Sequence, residues 1–489
     1  MVFSSNVFLF LFLPLFLGLY YLCANRYRNL LLLLASYAFY AWWRVDFLAL
    51  FIGVTAFNYW LGLRIGDAGA RTRRAQHWML LGVVGNLGAL GYFKYANFGV
   101  ANINSALQGM GLEPFLLTSV LLPIGISFYI FQSLSYLIDV YRGDVEATTH
   151  PVDFAAFIAL FPQLIAGPVL RYKDLADQFS DRTHTFDKFS EGASRFMQGF
   201  VKKVFIADTL APIADRCFAL ANPSTGDAWL GALAYTAQLY FDFSGYSDMA
   251  IGLGLMMGFR FMENFRQPYI SQSITEFWRR WHISLSTWLR DYLYISMGGN
   301  RGSTLQTYRN LFLTMLLGGF WHGANWTFLI WGAWHGMWLA IERLCNVDAA
   351  PKVLNPLKWA FTFLLVVLGW VIFRAENLDV AWRMYSAMFS FNDWRLSDLN
   401  SAQLTSMQVA TLILAYVVMA WFGLRQFYPG APGKFSARLS SLGQVQDSSG
   451  IAALDYRALA LRMGLLLLFL LSVLKLSAQS FSPFLYFQF

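Results

Sequence analysis

Long uncharged stretches alternate with short clusters of basic residues along most of the 489-residue chain. The first stretch, Val2 to Ala24, has 23 residues without a charge, and about 20 apolar residues suffice for a helix to cross a bilayer. Arginines follow this stretch and none precedes it, whereas a signal peptide carries its positive charges first. We therefore expect a retained helix with its N-terminus outside and its other end in the cytoplasm.

Further uncharged stretches bring the prediction to about eleven crossings plus one or two partial ones. The additional spanning stretches lie at 29–43, 47–63, 75–93, 114–138, 228–259, 310–341 (two crossings), 359–373, 399–424 and 461–478. Stretch 154–170 contains Pro162 and Gly167-Pro168, where a helix should break, so a re-entrant segment is predicted there. No fixed-period repeat and no sizeable soluble segment is visible, which predicts one multi-pass membrane domain over residues 1–489.

Composition agrees with a chain whose solvent is mostly lipid. Hydrophobic residues make up 57% and charged residues 13%, about half the charged fraction of a soluble domain. A soluble globule, a coiled coil and a disordered chain are therefore excluded. The net charge is +8. The lysines and arginines lie between apolar stretches, where such residues set the orientation of membrane helices, so no nucleic-acid partner is expected. Cysteine and histidine spacings do not suggest a disulfide framework or a metal site.

One uncharged stretch holds a histidine among glycines. His322 follows Arg309 by 13 residues, about 20 Å in a helix, and so lies deep in a bilayer about 30 Å thick. Its neighbours Gly318, Gly319 and Gly323 permit close approach of a second backbone or of a substrate. Burial disfavours imidazolium, so we expect a neutral ring that can act as a general base. A histidine that hydrogen-bonds between two helices fits these residues equally well.

The segment 276–294 is rich in tryptophan and arginine and too charged to span a bilayer. At helical spacing Trp278, His282, Leu285 and Leu289 share one face, which predicts a helix at the cytoplasmic interface or entering part-way. Some of its guanidinium groups could meet the phosphates of a cytoplasmic acyl carrier. These candidates are Arg279, Arg280 and Arg290. On composition alone, a helix that is merely anchored at the lipid headgroups is the favoured alternative.

Two carboxylates, Asp242 and Asp248, interrupt the apolar stretch 228–259. Charged residues at membrane depth are costly and are candidates for function. The two could form a proton path, but structural pairing with arginines such as Arg260 or Arg279 is favoured.

Two motifs stand out, and their histidines are 40 positions apart. They are Trp281-His282-Ile283-Ser284-Leu285-Ser286, running on to Arg290-Asp291-Tyr292, and Trp321-His322-Gly323. Both resemble motifs of the membrane-bound O-acyltransferase family, in particular its bacterial polysaccharide-modifying branch. The resemblance covers essentially the whole chain through shorter motifs. These are Lys94-Tyr95, Pro123-Ile124-Gly125-Ile126-Ser127-Phe128, Gly167-Pro168, Phe373-Arg374-Ala375 and Ser482-Pro483-Phe484-Leu485-Tyr486.

The resemblance implies an all-α integral membrane fold, a ring of tilted helices around a central tunnel in a locally thinned membrane. It makes His322 the catalytic residue. The position of His282 is asparagine in many relatives that acylate lipids or proteins, so proton transfer there cannot be essential to a shared mechanism. We therefore assign His282 to positioning or polarising the carbonyl of the donor.

For function, the resemblance implies an acetyltransferase of the bacterial inner membrane that serves O-acetylation of an exopolysaccharide, alginate. A cytoplasmic thioester, acetyl-CoA or another acyl thioester, is the donor substrate, and no bound cofactor is expected. Periplasmic acetyltransferase partner proteins of the export complex complete the transfer. The alternatives are a transporter or flippase without bond chemistry, a scaffold of the export complex, and an acylase of cellulose or peptidoglycan.

Overall fold

The computed structural model describes residues 2–165, 167–347, 353–425, 427, 444–446, 452–454 and 456–478. The chain divides into two compact units, with the boundary between Thr183 and His184. The C-terminal motif Ser482 to Tyr486 lies outside the described residues. Both units are built almost entirely from helices, as the all-α class predicts.

Helices of varied length form the first unit. They are α1 (Leu13–Leu22), α2 (Arg28–Ala41), α3 (Val45–Ala68), α4 (Arg73–Leu90), α5 (Ala96–Gly109), α6 (Ile126–Arg142), α7 (Pro151–Ala159), α8 (Phe161–Leu164) and α9 (Tyr172–Ser180). A π-helical turn, Phe8–Phe12, leads into α1, and a second one, Gly91–Tyr95, joins α4 to α5. A 3₁₀ turn, Asn25–Tyr27, precedes α2.

Two predictions for the first unit have definite outcomes. The predicted helix break in 154–170 is confirmed, because α7 ends at Ala159 and α8 covers only Phe161–Leu164. The single helix expected over 114–138 is wrong, since α6 begins only at Ile126. Gly125, at φ 75°, takes the left-handed conformation that starts the helix there.

The second unit contains the longest helix and a small hairpin. Its helices are α10 (Phe186–Phe200), α11 (Asp208–Ala219), α12 (Thr225–Met256), α13 (Ile274–Arg280), α14 (Ile283–Trp288), α15 (Thr304–His322), α16 (Trp326–Leu344), α17 (Pro356–Arg374), α18 (Leu378–Ser390), α19 (Asp398–Gln403), α20 (Ser406–Leu424) and α21 (Tyr456–Ala478). π-helical turns at Val201–Ala207 and Leu289–Tyr294 continue α10 and α14, and Pro268–Ile270 is a 3₁₀ turn. The antiparallel strands β1 (Gln444–Gln446) and β2 (Ala452–Leu454) are the exception to the expected all-α class.

Small residues hold α15 and α16 against each other. A Cβ atom added to Gly319 would lie 2.3 Å from the backbone oxygen of Phe328, and one added to Gly332 would lie 2.4 Å from that of Met315. Side chains at these positions would force the helices apart, so the glycines permit the close contact typical of helices in membranes. This close contact holds α15 and α16 side by side within the stretch 310–341.

Among the described residues, four helices are long and apolar enough to cross a membrane. They are Val45–Ala68, Pro356–Arg374, Ser406–Leu424 and Leu459–Ala478. Their presence confirms the prediction of a helical membrane protein, whereas the expected number of about eleven crossings is not confirmed. Phe8–Leu22 and Pro151–Leu164 are shorter apolar helices.

The continuous helix expected over 276–294 is wrong. Trp281 is extended, with ψ at 129°, and His282 is left-handed, with φ at 44° and ψ at 53°. These two residues separate α13 from α14. A non-glycine residue rarely adopts positive φ unless its surroundings impose it. The shared helical face of Trp278 and Leu285 therefore does not exist, and His282 sits in a turn.

Candidate active site

His322 is the last residue of α15 and lies where the chain turns into α16. Ser303 and Gln306 form a capping box that starts α15, and the Asn325 side chain accepts the Thr327 N–H to start α16. A Cβ atom on Gly323 would lie 2.2 Å from the ring of Phe328. The glycine of the Trp-His-Gly motif therefore allows a tight connection that holds His322 at the helix end.

Aromatic rings enclose His322 on several sides. Its ring centroid lies 5.0 Å from that of Trp321, 5.2 Å from that of Trp331 and 5.4 Å from that of Phe373. The residue is 6% exposed. This packing limits the rotation of the imidazole and shields it from water.

His282 is held in its strained turn by a neighbouring segment. The Arg266 N–H donates to the Arg280 carbonyl at 2.9 Å, and the Ile283 N–H donates to the Asn264 carbonyl at 2.9 Å. The Phe243 ring packs perpendicular to the imidazole, with 4.7 Å between centroids. His282 is fully buried and lies outside the four membrane-spanning helices, and this burial lowers its pKa to about 3. The ring is therefore neutral near pH 7.

The Asn264 side chain decides which nitrogen of His282 carries the proton. Its Oδ1 accepts the Ser284 N–H at 3.2 Å and the Ser284 hydroxyl at 2.8 Å, so this atom is an oxygen and not the amide nitrogen. Nδ1 of His282 lies 3.2 Å from the same oxygen and 3.4 Å from the Ser284 hydroxyl, whose proton is directed to Asn264, so this arrangement favours a proton on Nδ1. In a neutral ring Nε2 is then unprotonated and can only accept. Nε2 has no hydrogen-bond partner among the described residues.

The structure brings the two predicted histidines together. The ring centroids of His282 and His322 are 6.5 Å apart, with their planes inclined at 61°. A buried pair of imidazoles at this separation can contact one small reacting group from two sides, which suits removal of a proton from a hydroxyl near an electrophilic carbonyl.

Comparison with known proteins identifies the chemistry. The sequence profile of the membrane-bound O-acyltransferase family matches residues 144–373, which include both histidines. A protein of Azotobacter vinelandii named "Probable alginate O-acetylase AlgI" is 74% identical over 499 aligned positions, which cover 100% of both chains. The chain belongs to the membrane-bound O-acyltransferase family. This membership makes the protein an O-acyltransferase.

Other relatives of this acyltransferase differ in their acceptors. A protein of Pseudomonas putida, also named "Probable alginate O-acetylase AlgI", is 73% identical and aligns over 100% of both chains. A peptidoglycan O-acetyltransferase of Helicobacter pylori is 38% identical over 82% of each chain.

The three candidate arginines of the acyltransferase have different surroundings. Arg280 pairs with Glu276 at 2.7 Å, and Arg290 pairs with Asp291 at 2.7 Å. Arg279 is exposed and lines a cavity of about 580 Å³ next to α13. Arg280 and Arg290 are thus each paired with a residue close in sequence, and Arg279 lines a cavity.

The buried carboxylates of the acyltransferase are paired, as favoured from the sequence, but the named partners were wrong. Asp242 lies 2.8 Å from Lys203, and Asp248 contacts Arg195 at 2.7 Å and Lys202 at 2.6 Å. All three partners precede α12 in the chain, on α10 and the following π-helical turn. Arg260, one of the expected partners, lies 3.8 Å from Glu191 instead.

Sequence reasoning missed Asn264 as a part of the site and assigned no role to His335. Asn264 lies 18 residues before His282 in a segment without helical periodicity, so no pattern connects them. His335 is fully buried against Trp331, with ring centroids 4.9 Å apart, and the same indole contacts His322. The spacing of Trp331 and His335, four residues apart in one helix, is the signal that predicts their contact.

Proposed function

We propose that this acyltransferase moves an acetyl group from a cytoplasmic thioester, acetyl-CoA in the first instance, to an acceptor for the O-acetylation of alginate. The proximity of the His282 and His322 rings, 6.5 Å apart, carries the chemical part of the proposal. The names of the relatives that align over the full chain support alginate as the polymer.

In the proposed reaction His322 is the general base. Its imidazole accepts the proton of the acceptor hydroxyl as the oxygen attacks the thioester carbonyl. The tetrahedral intermediate then collapses, the carbon–sulfur bond breaks, and the leaving thiolate takes the proton from the imidazolium. His322 is neutral again at the end of the cycle, and atoms and charges balance.

For His282 the tautomer favours positioning over polarisation of the carbonyl. A neutral ring whose Nδ1–H donates to Asn264 has no proton on Nε2 to offer to a carbonyl oxygen. We assign to Nε2 the acceptance of a hydrogen bond from a second donor group of the bound substrates, since the proton of the attacking hydroxyl goes to His322. The side-chain oxygen of asparagine can also accept a hydrogen bond. This agrees with the asparagine that, by the resemblance, occupies this position in many relatives that acylate lipids or proteins.

We further propose an inner-membrane protein with about eleven crossings around a tunnel through which donor and acceptor approach from opposite sides. Periplasmic partner proteins would carry the acetyl group onward to the polymer, and no bound cofactor takes part. The basic residues between apolar stretches support a cytoplasmic side for the donor. The relative that acts on peptidoglycan supports an alternative acceptor polymer.

Turnover by the purified protein tests the chemistry. The wild type in nanodiscs with acetyl-CoA should release thiol, and His322→Ala should lower kcat by about 10² to 10⁴. His77→Ala, at an exposed histidine of α4, is the matched control and should retain full activity. An intact His322→Ala rate would refute the role of this residue. Acetyl analysis of alginate and of peptidoglycan from cells that lack the protein would distinguish the two polymers.

A further inference from the structure

We propose that Arg195 and Glu263 position the Asn264 amide, which in turn sets the tautomer of His282. This inference rests on the proposed function, because it concerns how the acyltransferase prepares the same histidine. Glu263 directly precedes Asn264, and its carboxylate accepts a hydrogen bond from Nη2 of Arg195 at 2.6 Å. Both residues act through Asn264, so they are positioning residues and not catalytic ones.

Asn264 lies in a segment without regular secondary structure. Residues 257–267, which follow α12, form neither a helix nor a strand, and they therefore lack the repeating backbone hydrogen bonds that hold a helix rigid. The residues on both sides of Asn264 are anchored instead. After it, the Phe265 ring packs against the Phe243 ring, with 5.0 Å between centroids. Before it, the Glu263 carboxylate is held by an ion pair at 2.6 Å. The amide is thus fixed between two anchored side chains.

The Arg195 guanidinium joins this segment to α12. Its Nε donates to Oδ1 of Asp248 at 2.8 Å, and its Nη2 donates to Oε2 of Glu263 at 2.6 Å. The planar fork of a guanidinium can hold two carboxylates at once in this way. Asp248 belongs to α12, which also carries Phe243, and the Phe243 ring packs against the His282 imidazole at 4.7 Å. Arg195 therefore fixes residue 263 relative to the helix that contacts the imidazole.

Backbone contacts hold Arg195 itself in place. It lies on α10 between Gly192 and Gly199. A Cβ atom on Gly192 would lie 2.6 Å from the backbone oxygen of Gly252, and one on Gly199 would lie 2.3 Å from that of Gly245. Glycines that bring two helix backbones together in this way leave little room for the helices to slide. The guanidinium is therefore set at a defined place on α12 before any substrate binds.

Turnover in two backgrounds separates positioning from a purely structural ion network. Glu263→Gln removes the charge and keeps the size of a side chain that is 40% exposed, so the fold should tolerate it. In wild-type protein in nanodiscs, this substitution should lower kcat for thiol release by about threefold to tenfold, with an unchanged KM for acetyl-CoA. In the His282→Asn background it should change kcat by less than about twofold, because an amide at position 282 has no tautomer to be set.

Nitrogen NMR of the imidazoles tests the same positioning without requiring turnover. With labelled histidine in bilayers at pH 7, the wild type should show a neutral ring that is protonated on Nδ1. The chain has 6 histidines, and the signal that is missing from His282→Asn belongs to His282. In Glu263→Gln part of this signal should move to the position of a ring protonated on Nε2, because the amide no longer holds the Nδ1 proton.

Two further variants provide a control and a second probe. Glu191→Gln makes the same substitution on α10, at a carboxylate that is 39% exposed and lies 3.8 Å from Arg260. It should change neither kcat nor the NMR spectrum. Arg195→Lys keeps the charge but lacks the fork that holds two carboxylates. It should therefore lower kcat and shift the tautomer as Glu263→Gln does.

Each outcome decides between definite alternatives. If Glu263→Gln lowers kcat equally in the wild-type and His282→Asn backgrounds, the positioning role is overturned and the ion network is only structural. An unchanged kcat together with an unchanged tautomer signal also overturns it, even where turnover still depends on His322. So does a wild-type spectrum without a ring protonated on Nδ1. A tautomer shift in Glu263→Gln, in a protein that releases no thiol, would support the positioning and refute the proposed chemistry.

Discussion

Oδ1 of Asn264 lies 3.2 Å from Nδ1 of His282 and holds the proton of the imidazole on that nitrogen. The Ser284 N–H donates to the same oxygen and fixes the orientation of the amide. The consequence is a buried Nε2 atom that can accept but cannot donate. A residue in an irregular segment thereby determines what a histidine 18 positions later can do.

We predict that Asn264→Ala lowers kcat by about tenfold or more, because the tautomer of His282 is no longer fixed and a buried donor loses its partner. Asn264→Asp keeps an acceptor at the same place and should retain more activity than the alanine variant. Thiol release in nanodiscs measures both rates. Asn97→Ala, at an exposed asparagine of α5, is the control and should retain full activity. Equal rates for Asn264→Ala and wild type would contradict the role of the amide.

Burial of His282 makes stability depend on pH. Its pKa is about 3 in the folded protein and about 6.5 in an unfolded chain. The unfolded state therefore binds more protons between these values, and stability present above pH 6.5 is lost as the pH falls toward 3. Between pH 7 and pH 5 this residue should cost the wild type about 2 kcal/mol.

Denaturant unfolding in micelles at pH 7 and pH 5 measures this effect. His282→Asn has no titratable group at the position, so its free energy of unfolding should fall less between the two pH values by about that amount. The exposed-site variant His77→Ala should follow the wild type. An identical pH dependence for wild type and His282→Asn would show that the imidazole is not buried in its neutral form.

The contact between α15 and α16 should be sensitive to one methyl group. Gly319→Ala places a Cβ atom 2.3 Å from the Phe328 carbonyl oxygen, so the helices must shift, at about 1–3 kcal/mol. We expect a lower thermal midpoint and slower turnover, because His322 ends the same helix. Gly88→Ala, where a Cβ atom meets nothing within 4 Å, is the control in α4. Unchanged stability of Gly319→Ala would argue against the close packing.

The buried ion pair between Lys203 and Asp242 should contribute to the stability of the folded protein. Lys203 and Asp242 are 1% and 2% exposed, and Lys203 also pairs with Asp208 at 2.6 Å. Asp242→Asn leaves Lys203 paired with Asp208 and should destabilise the protein by about 1–3 kcal/mol. Thermal unfolding of the purified variants gives the measurement.

The exposed pair of Arg44 and Asp46 is the matched control. Asp46→Asn should leave the thermal midpoint nearly unchanged, since surface pairs are screened by water and salt. Loss of turnover in Asp242→Asn at unchanged stability would instead support the proton path that the sequence left open.

The sequence by itself determined the class of the protein and singled out His322 as a candidate. Helices that cross a membrane need long uncharged runs, so the composition alone shows that lipid surrounds much of the chain. The glycines beside His322 indicate that another part of the protein packs closely there. Clear breaks such as Pro162 are equally local and were predicted correctly. These features are readable because each depends on residues within one or two helical turns.

Only the tertiary structure decided how the site is arranged. The left-handed turn at His282 follows from backbone bonds to residues 264–266, which helical periodicity does not reveal. The partners of Asp242 and Asp248, the contact of Asn264 with His282 and the cavity that Arg279 lines all depend on segments distant in sequence. Such contacts depend on which helices pack against each other. No local pattern in a single sequence shows which helices those are.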